Sequence, residues 1–208
     1  MTTEKKQPKC EVKAEEPSPI PRLCLMSVFL SGIADLIAQN TDLLASFAGA
    51  SSTKAVFKLD FVRLARFIFY GVFMTPIGFK WVSLLNYLFP MPESKVIKTS
   101  EKTEKVIEPS TVDVFQAVTK RVIMDQVVYS PFSVAFFFVG MGYLEGSNWV
   151  EIYSKLTENF WPALIACYKV WPLVQFFNFF FVPLVLQIPF CGFVGIFWNI
   201  YMSLLNSQ

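Results

Sequence analysis

The sequence contains no histidine. That absence removes the Ser-His-Asp and Cys-His nucleophile systems, histidine general bases and every histidine-containing zinc or haem site. Cysteine is sparse as well. Cys10, Cys24, Cys167 and Cys191 are far apart and form no CxxC pair, and the last three sit in apolar surroundings, so neither a metal cluster nor a disulfide framework is expected. No cofactor and no metal are predicted. Charge is the third shortage: 16% of the 208 residues are charged, against about a quarter in an ordinary soluble domain. With 54% hydrophobic residues and a mean hydropathy of +0.47, the chain reads as a membrane protein. A net charge of +2 with no basic stripe of interleaved aromatics argues against nucleic acid. Gly140-x-Gly142 lacks the third glycine of a nucleotide fingerprint. No pair of titratable groups has the pattern of an acid and base, so the chain is not expected to be an enzyme.

What is present is a series of apolar runs. Residues 1–21 hold four Lys, four Glu and four Pro and almost nothing apolar, which predicts a disordered tail. This tail is neither Arg-rich like a mitochondrial presequence nor apolar like a secretory signal. Beyond it, a helix crossing a hydrocarbon core of about 30 Å needs about 20 residues. Gln126 to Leu144 carries no charge, and neither does Val170 to Gln208, which is too long for one crossing and has Pro183 and Pro189 as break points. Leu23 to Gln39 is apolar except for Asp35. Phe61 to Phe89 is apolar except for Arg63, Arg66 and Lys80, with Pro76 near its centre to kink it. The predicted fold is an all-α integral membrane protein: a bundle over 22–206 of four transmembrane helices, near 23–43, 62–89, 112–144 and 160–182, plus an apolar C-terminal helix near 188–205. Between the second and third spans, 92–110 mixes Lys, Glu, Ser and Thr and reads as a solvated, flexible loop. Eleven Lys and Arg lie on the side of the N-terminus and this loop and five on the other, so the first side is the positive, cytosolic or matrix, face.

An ionisable side chain inside a bilayer costs about 2.5 to 3.5 kcal/mol or more and needs a partner or a wet cavity. Asp35, Gln39, Arg63, Arg66, Lys80, Arg121, Asp125, Gln126 and Lys169 are therefore the candidate residues. They either line a polar path that sets charge selectivity or pair as interhelical glue, with Lys80 and Lys169 also able to snorkel. Asp125 lies one turn after Arg121, but its place at the start of an apolar run predicts that it reaches inward to Arg63, Arg66 or Lys169 on another span. Trp171, Gln175 and Asn178 share one helical face, where the amides are suited to interhelical hydrogen bonds. Ser27, Ser31, Ala34 and Ala38 form a small-residue stripe that admits a close neighbour, and Trp149, Trp161, Trp198, Tyr143, Tyr153 and Tyr201 stand near span ends as an aromatic belt.

Trp171-Pro172, Gln175, Asn178-Phe179 and Val182-Pro183, followed by Trp198, Tyr201 and Ser203, resemble the C-terminal signature of the family of the Mpv-seventeen protein and the 22-kilodalton peroxisomal membrane protein. Asp125-Gln126 with Pro131 is similar to its DQ-and-Pro motif. Asp60, Arg63, Arg66, Gly71, Pro76 and Trp81 are similar to its second-span pattern, and Asp35 and Gln39 to its first. Departures occur at Thr75, Phe79 and Gln187, where the family usually has Gly, His and Arg. The run LQIPF with Gly195, Ile196 and Trp198 is similar to fungal members associated with peroxisomes. The resemblance implies a four-span protein of a peroxisomal or inner mitochondrial membrane with channel activity for small solutes or, in a different class, a non-conducting organiser of the peroxisome membrane. The partners it implies are the lipid bilayer, other copies of the chain in a homo-oligomer and the peroxisomal membrane-protein import machinery.

Overall fold

The computed structural model describes residues 18–41, 43, 56–92, 95–98, 104–107 and 109–206. The tail expected over 1–21 lies, up to residue 17, outside the described residues. The elements are α1 (Ile20–Gln39), α2 (Phe61–Leu88), α3 (Thr111–Met124), a π-helical turn (Asp125–Tyr129), α4 (Ser130–Leu144), α5 (Trp149–Phe181), a 3₁₀ turn (Leu184–Leu186) and α6 (Gln187–Asn206). Four apolar helical stretches are long enough to cross a membrane: α1, α2, α3 and α4 as one 34-residue span, and α5. With the shorter apolar α6, this is the expected all-α bundle of four spans plus a C-terminal helix. Its outer surface presents Phe29, Phe69, Phe73, Trp161, Leu173 and Phe181, which is hazardous in water but matched to lipid.

The helix ends follow local chemistry. Pro21 stands in the first turn of α1, where its missing N–H costs nothing. Asp60 caps α2 by accepting from the Val62 and Arg63 amides at 2.9 and 3.0 Å. α4 ends in a Schellman turn: Ser147 N–H donates to Gly142 O at 3.0 Å and Gly146 takes φ +78°, a left-handed value that favours glycine. Asn148 then starts α5 with a capping box shared with Glu151. Because Glu151, Lys155 and Glu158 continue this helix past the apolar run, α5 begins eleven residues before the expected span start near 160. At its far end Pro183 breaks the chain as expected, whereas Pro189 is accommodated in the first turn of α6. Within the loop expected over 92–110 the structure has two short antiparallel strands, β1 (Lys95–Lys98) and β2 (Glu104–Ile107), with Val96 opposite Val106. Their β-branched residues favour pairing.

Prolines inside the spans leave carbonyls without an intrahelical donor. Pro76 frees Val72 O, and Cys24 Sγ of α1 approaches it at 3.9 Å. The contact exists because α1 and α2 come very close. A methyl group built on Gly71 would collide with Ser31 Oγ and lie 3.0 Å from Ser31 Cβ and 3.2 Å from Ser27 Oγ, so the small-residue stripe of α1 faces α2 as its spacing suggested. α1 also packs on α6, with Leu30 against Gly192. α2 meets α4 through aromatic rings, Phe73 stacking on Phe136 at 6.0 Å and Tyr70 edge-on to Phe137 at 5.6 Å. The apolar core lies towards the other end of α2, where Val82 and Leu85 pack with Val118 and Phe179.

Gly71→Ala is expected to destabilise the detergent-solubilised protein by about 1 to 3 kcal/mol, the usual cost of overpacking. Ser31→Gly in the same chain should recover much of the loss, and thermal melts of parent, single and double variants measure it.

Candidate functional site

The site is a buried polar network built around one carboxylate. Asp125 is 2% exposed and accepts three hydrogen bonds: Trp81 Nε1 at 3.0 Å to Oδ1, and Gln126 Nε2 at 3.0 Å and Gln175 Nε2 at 2.9 Å to Oδ2. The donors come from α2, the π-turn and α5, so one side chain ties three spans together. Gln175 Oε1 in turn accepts from Asn178 Nδ2 at 2.9 Å, and Asn178 Nδ2 reaches Cys191 Sγ of α6 at 3.3 Å. Ser130 Oγ completes the near side by donating to Gln126 Oε1 at 3.3 Å.

The π-turn aims these groups, and Pro131 explains why its ladder cannot continue. Ser130 N–H donates to Asp125 O, five residues back. The next bond in that register would need an N–H at Pro131, which has none, and so Gln126 O is left without a main-chain donor. Tyr168 of α5 supplies one, its hydroxyl donating to Gln126 O at 3.0 Å. The similarity to a DQ-and-Pro motif therefore has a structural content: the carboxylate, the amide beside it and the proline that opens a carbonyl to α5 form a single unit.

Asp125 meets none of the partners expected for it. Arg121 does not pair with it, and neither do Arg63, Arg66 or Lys169. Instead the buried Arg121 caps the C-terminal end of α2, donating from Nε at 2.9 Å and Nη2 at 2.8 Å to Phe89 O and from Nη2 at 2.7 Å to Asn86 Oδ1. Helix-end carbonyls have no partner of their own and carry partial negative charge, so they suit a guanidinium. Arg63 pairs with Asp35 at 3.0 Å. Asp35 is 1% exposed and also accepts from Gln39 Nε2 at 2.6 Å, while Gln39 Oε1 accepts the Asp60 amide at 2.6 Å. This second cluster closes the α1–α2 end of the bundle. Arg66 is half-buried, and Lys80 and Lys169 are exposed; among the described residues none of the three has a hydrogen-bond or ion-pair partner, so the structure brings them into neither cluster.

In the C-terminal signature, Gln175, Asn178 and Phe179 are buried, and Trp171 packs edge-on to Trp198 with ring centroids 6.3 Å apart. Pro172 lies inside α5 and Pro183 ends it. The side chain of Tyr201 lies outside the described residues. Cys191, Tyr168, Ser130 and Asn86 belong to the networks without having been singled out from the sequence. The lost N–H of Pro131 was the one signal that an outside donor such as Tyr168 had to exist. Thr75 and Gln187, two of the departures, are buried: Thr75 Oγ1 donates to Gly71 O at 2.8 Å and Gln187 Nε2 to Val182 O at 2.9 Å.

Four apolar spans enclosing a carboxylate held by neutral donors define an integral membrane protein with a polar core. A profile of the Mpv17 / PMP22 family matches residues 142–203, which run from the end of α4 through α5 and into α6. Protein sym1 of Schizosaccharomyces pombe is 36% identical, the alignment covering 93% of this chain and 87% of that protein. Protein SYM1 of Saccharomyces cerevisiae is 32% identical over 88% of this chain and 82% of its own length. Peroxisomal membrane protein 2 of Bos taurus is 28% identical over 72% and 66%. No solved structure matches. The chain belongs to the Mpv17 / PMP22 family.

Asp125→Asn places an amide among donors and should destabilise the protein by about 1 to 3 kcal/mol through unpaired buried groups. Adding Gln175→Glu reverses the donor and acceptor across the α5 contact and is expected to restore part of the loss. Thermal melts of the two variants in one detergent check this, and an Asp125→Asn protein that melts like the parent would refute the three-span tie.

Proposed function

We propose that the protein is a channel for small solutes in the peroxisomal membrane, with its polar path running beside Asp125, Gln175 and Asn178 towards the α5–α6 turn. The observation that carries this reading is a pair of buried acceptors, Asn178 Oδ1 and Gln187 Oε1, that have no donor among the described residues. Buried acceptors are rarely left unpaired. Asn178 links Gln175 to Cys191 and Gln187 opens α6, so each presents an acceptor oxygen able to take a hydrogen bond from water or a solute hydroxyl. The path carries an acceptor-rich lining and one carboxylate, with no cation paired to it among the described residues, and no catalytic step is assigned to it.

A second reading, a non-conducting membrane organiser, is favoured by a different observation: both Asp125 oxygens accept hydrogen bonds from the protein itself, one at Oδ1 and two at Oδ2, as in a structural tie. The peroxisomal location is supported by the similarity to a protein named for that membrane, and the inner mitochondrial membrane is the alternative.

Purified protein in planar bilayers is expected to conduct small ions, and Gln187→Leu, which removes one acceptor, to lower the unitary conductance. Absence of current above background from protein that still unfolds cooperatively would leave the organiser reading. A tagged copy imaged against organelle markers decides the location, and coincidence with mitochondria would overturn the peroxisomal assignment.

A further inference from the structure

Lys80 presents a separate problem from the polar core. It lies on α2 eight residues before the helix ends at Leu88, about 12 Å along the axis at 1.5 Å per residue, and it is exposed on the outer surface of the bundle. Among the described residues it has neither hydrogen bond nor ion pair. Its stem lines a groove of about 250 Å³ whose other walls are Ile77, Trp81, Leu84, Val128, Tyr129 and Phe132. Leu84, Val128 and Phe132 are 44 to 45% exposed, so the groove opens towards lipid. Its far wall is rigid, because Trp81 is anchored on Asp125 and stacks on Tyr129 with centroids 5.6 Å apart.

We propose that this groove binds an anionic phospholipid, one acyl chain lying along the apolar walls and the phosphate meeting the Lys80 ammonium. An unpaired cation at the edge of an otherwise apolar trough matches an amphiphile that has a negative head and a hydrocarbon tail. A lysine at this depth can extend its head towards the interface while its stem stays in the groove. The end of α2 faces the side rich in Lys and Arg, where anionic headgroups concentrate against basic segments. The larger groove of about 590 Å³ between α1 and α6, lined by Phe29, Leu30, Pro189 and Phe193 among others, contains no charged side chain and offers a headgroup nothing.

The test uses full-length protein in mild detergent titrated with dioleoyl phosphatidylserine, dioleoyl phosphatidylcholine or inorganic phosphate, with bound lipid followed by native mass spectrometry. The parent should prefer the serine lipid, and Lys80→Gln should weaken that binding about five-fold, the weight of one basic residue near a charged membrane surface, while leaving the choline lipid unchanged. Lys80→Arg should retain the preference, and Lys169→Gln, which removes another exposed cation, should too. Leu84→Trp, which fills the groove, should weaken both lipids. Binding by phosphate alone would remove the acyl chain from the site. Equal binding of the serine lipid by parent and Lys80→Gln, or equal losses in Lys80→Gln and Lys169→Gln, would overturn the proposal. So would a change of oligomeric mass in Lys80→Gln with lipid binding intact, because the groove would then belong to a second copy of the chain.

Discussion

The arrangement of the bundle depends on how a single carboxylate is kept in a low-dielectric interior. Asp125 is held by hydrogen bonds from neutral donors on α2, the π-turn and α5, and no ion pair with it occurs among the described residues. A hydrogen bond to an ionised acceptor is stronger than one between neutral groups, and neutral donors bring no second desolvation cost of the kind that offsets a buried ion pair. The cations expected to meet it are then free for other work: Arg121 closes the end of α2 and Arg63, at the far end of that helix, neutralises Asp35. Each of these two clusters joins consecutive helices near an end of α2, and the Asp125 network joins three spans between them.

A second constraint is that lipid supplies no hydrogen bonds, so every carbonyl opened by a proline needs a donor from elsewhere in the protein. Val72 O meets the Cys24 thiol and Gln126 O meets the Tyr168 hydroxyl. These two prolines therefore specify contacts as well as bends. Pro76 asks for a donor from α1, and the absence of a side chain at Gly71 lets that helix approach. Pro131 asks for one from α5, which also brings Gln175 to the carboxylate.

The spans themselves were legible because the bilayer imposes a length on any charge-free run, and the runs ending near Gln39, Leu88 and Leu144 match the helices within a few residues. The start of α5 was not, since hydropathy marks where hydrocarbon begins and says nothing of a helix that continues into water through Glu151, Lys155 and Glu158. The shared face of Gln175 and Asn178 followed from their spacing on α5. The partners of Asp125 did not follow. Trp81 and Gln175 lie 44 and 50 residues away from it, and which of them a carboxylate meets depends on helix rotation, to which a π-turn adds a shift invisible to a reading based on 3.6 residues per turn. Charge alone pointed to cations on other spans, and it was uncharged groups that answered.

The π-turn also sets the angular phase of the polypeptide on its two sides. Five residues occupy an arc that an α-helix would cover with about four, so α4 is turned by roughly 100° relative to where an unbroken continuation of α3 would place it. Val118 and Arg121 look towards the end of α2 while Phe136 and Phe137 look towards Tyr70 and Phe73, and both aspects are served by one span only because of that offset. A lineage that lost one residue between Asp125 and Tyr129 would leave four residues in that arc and let the span run as regular α-helix, so the side chains beyond would keep their neighbours while the wide turn that aims Asp125 and Gln126 would be gone. The additional residue is thus absorbed by the π-turn, and what it supplies is the aim of the carboxylate and of the amide beside it.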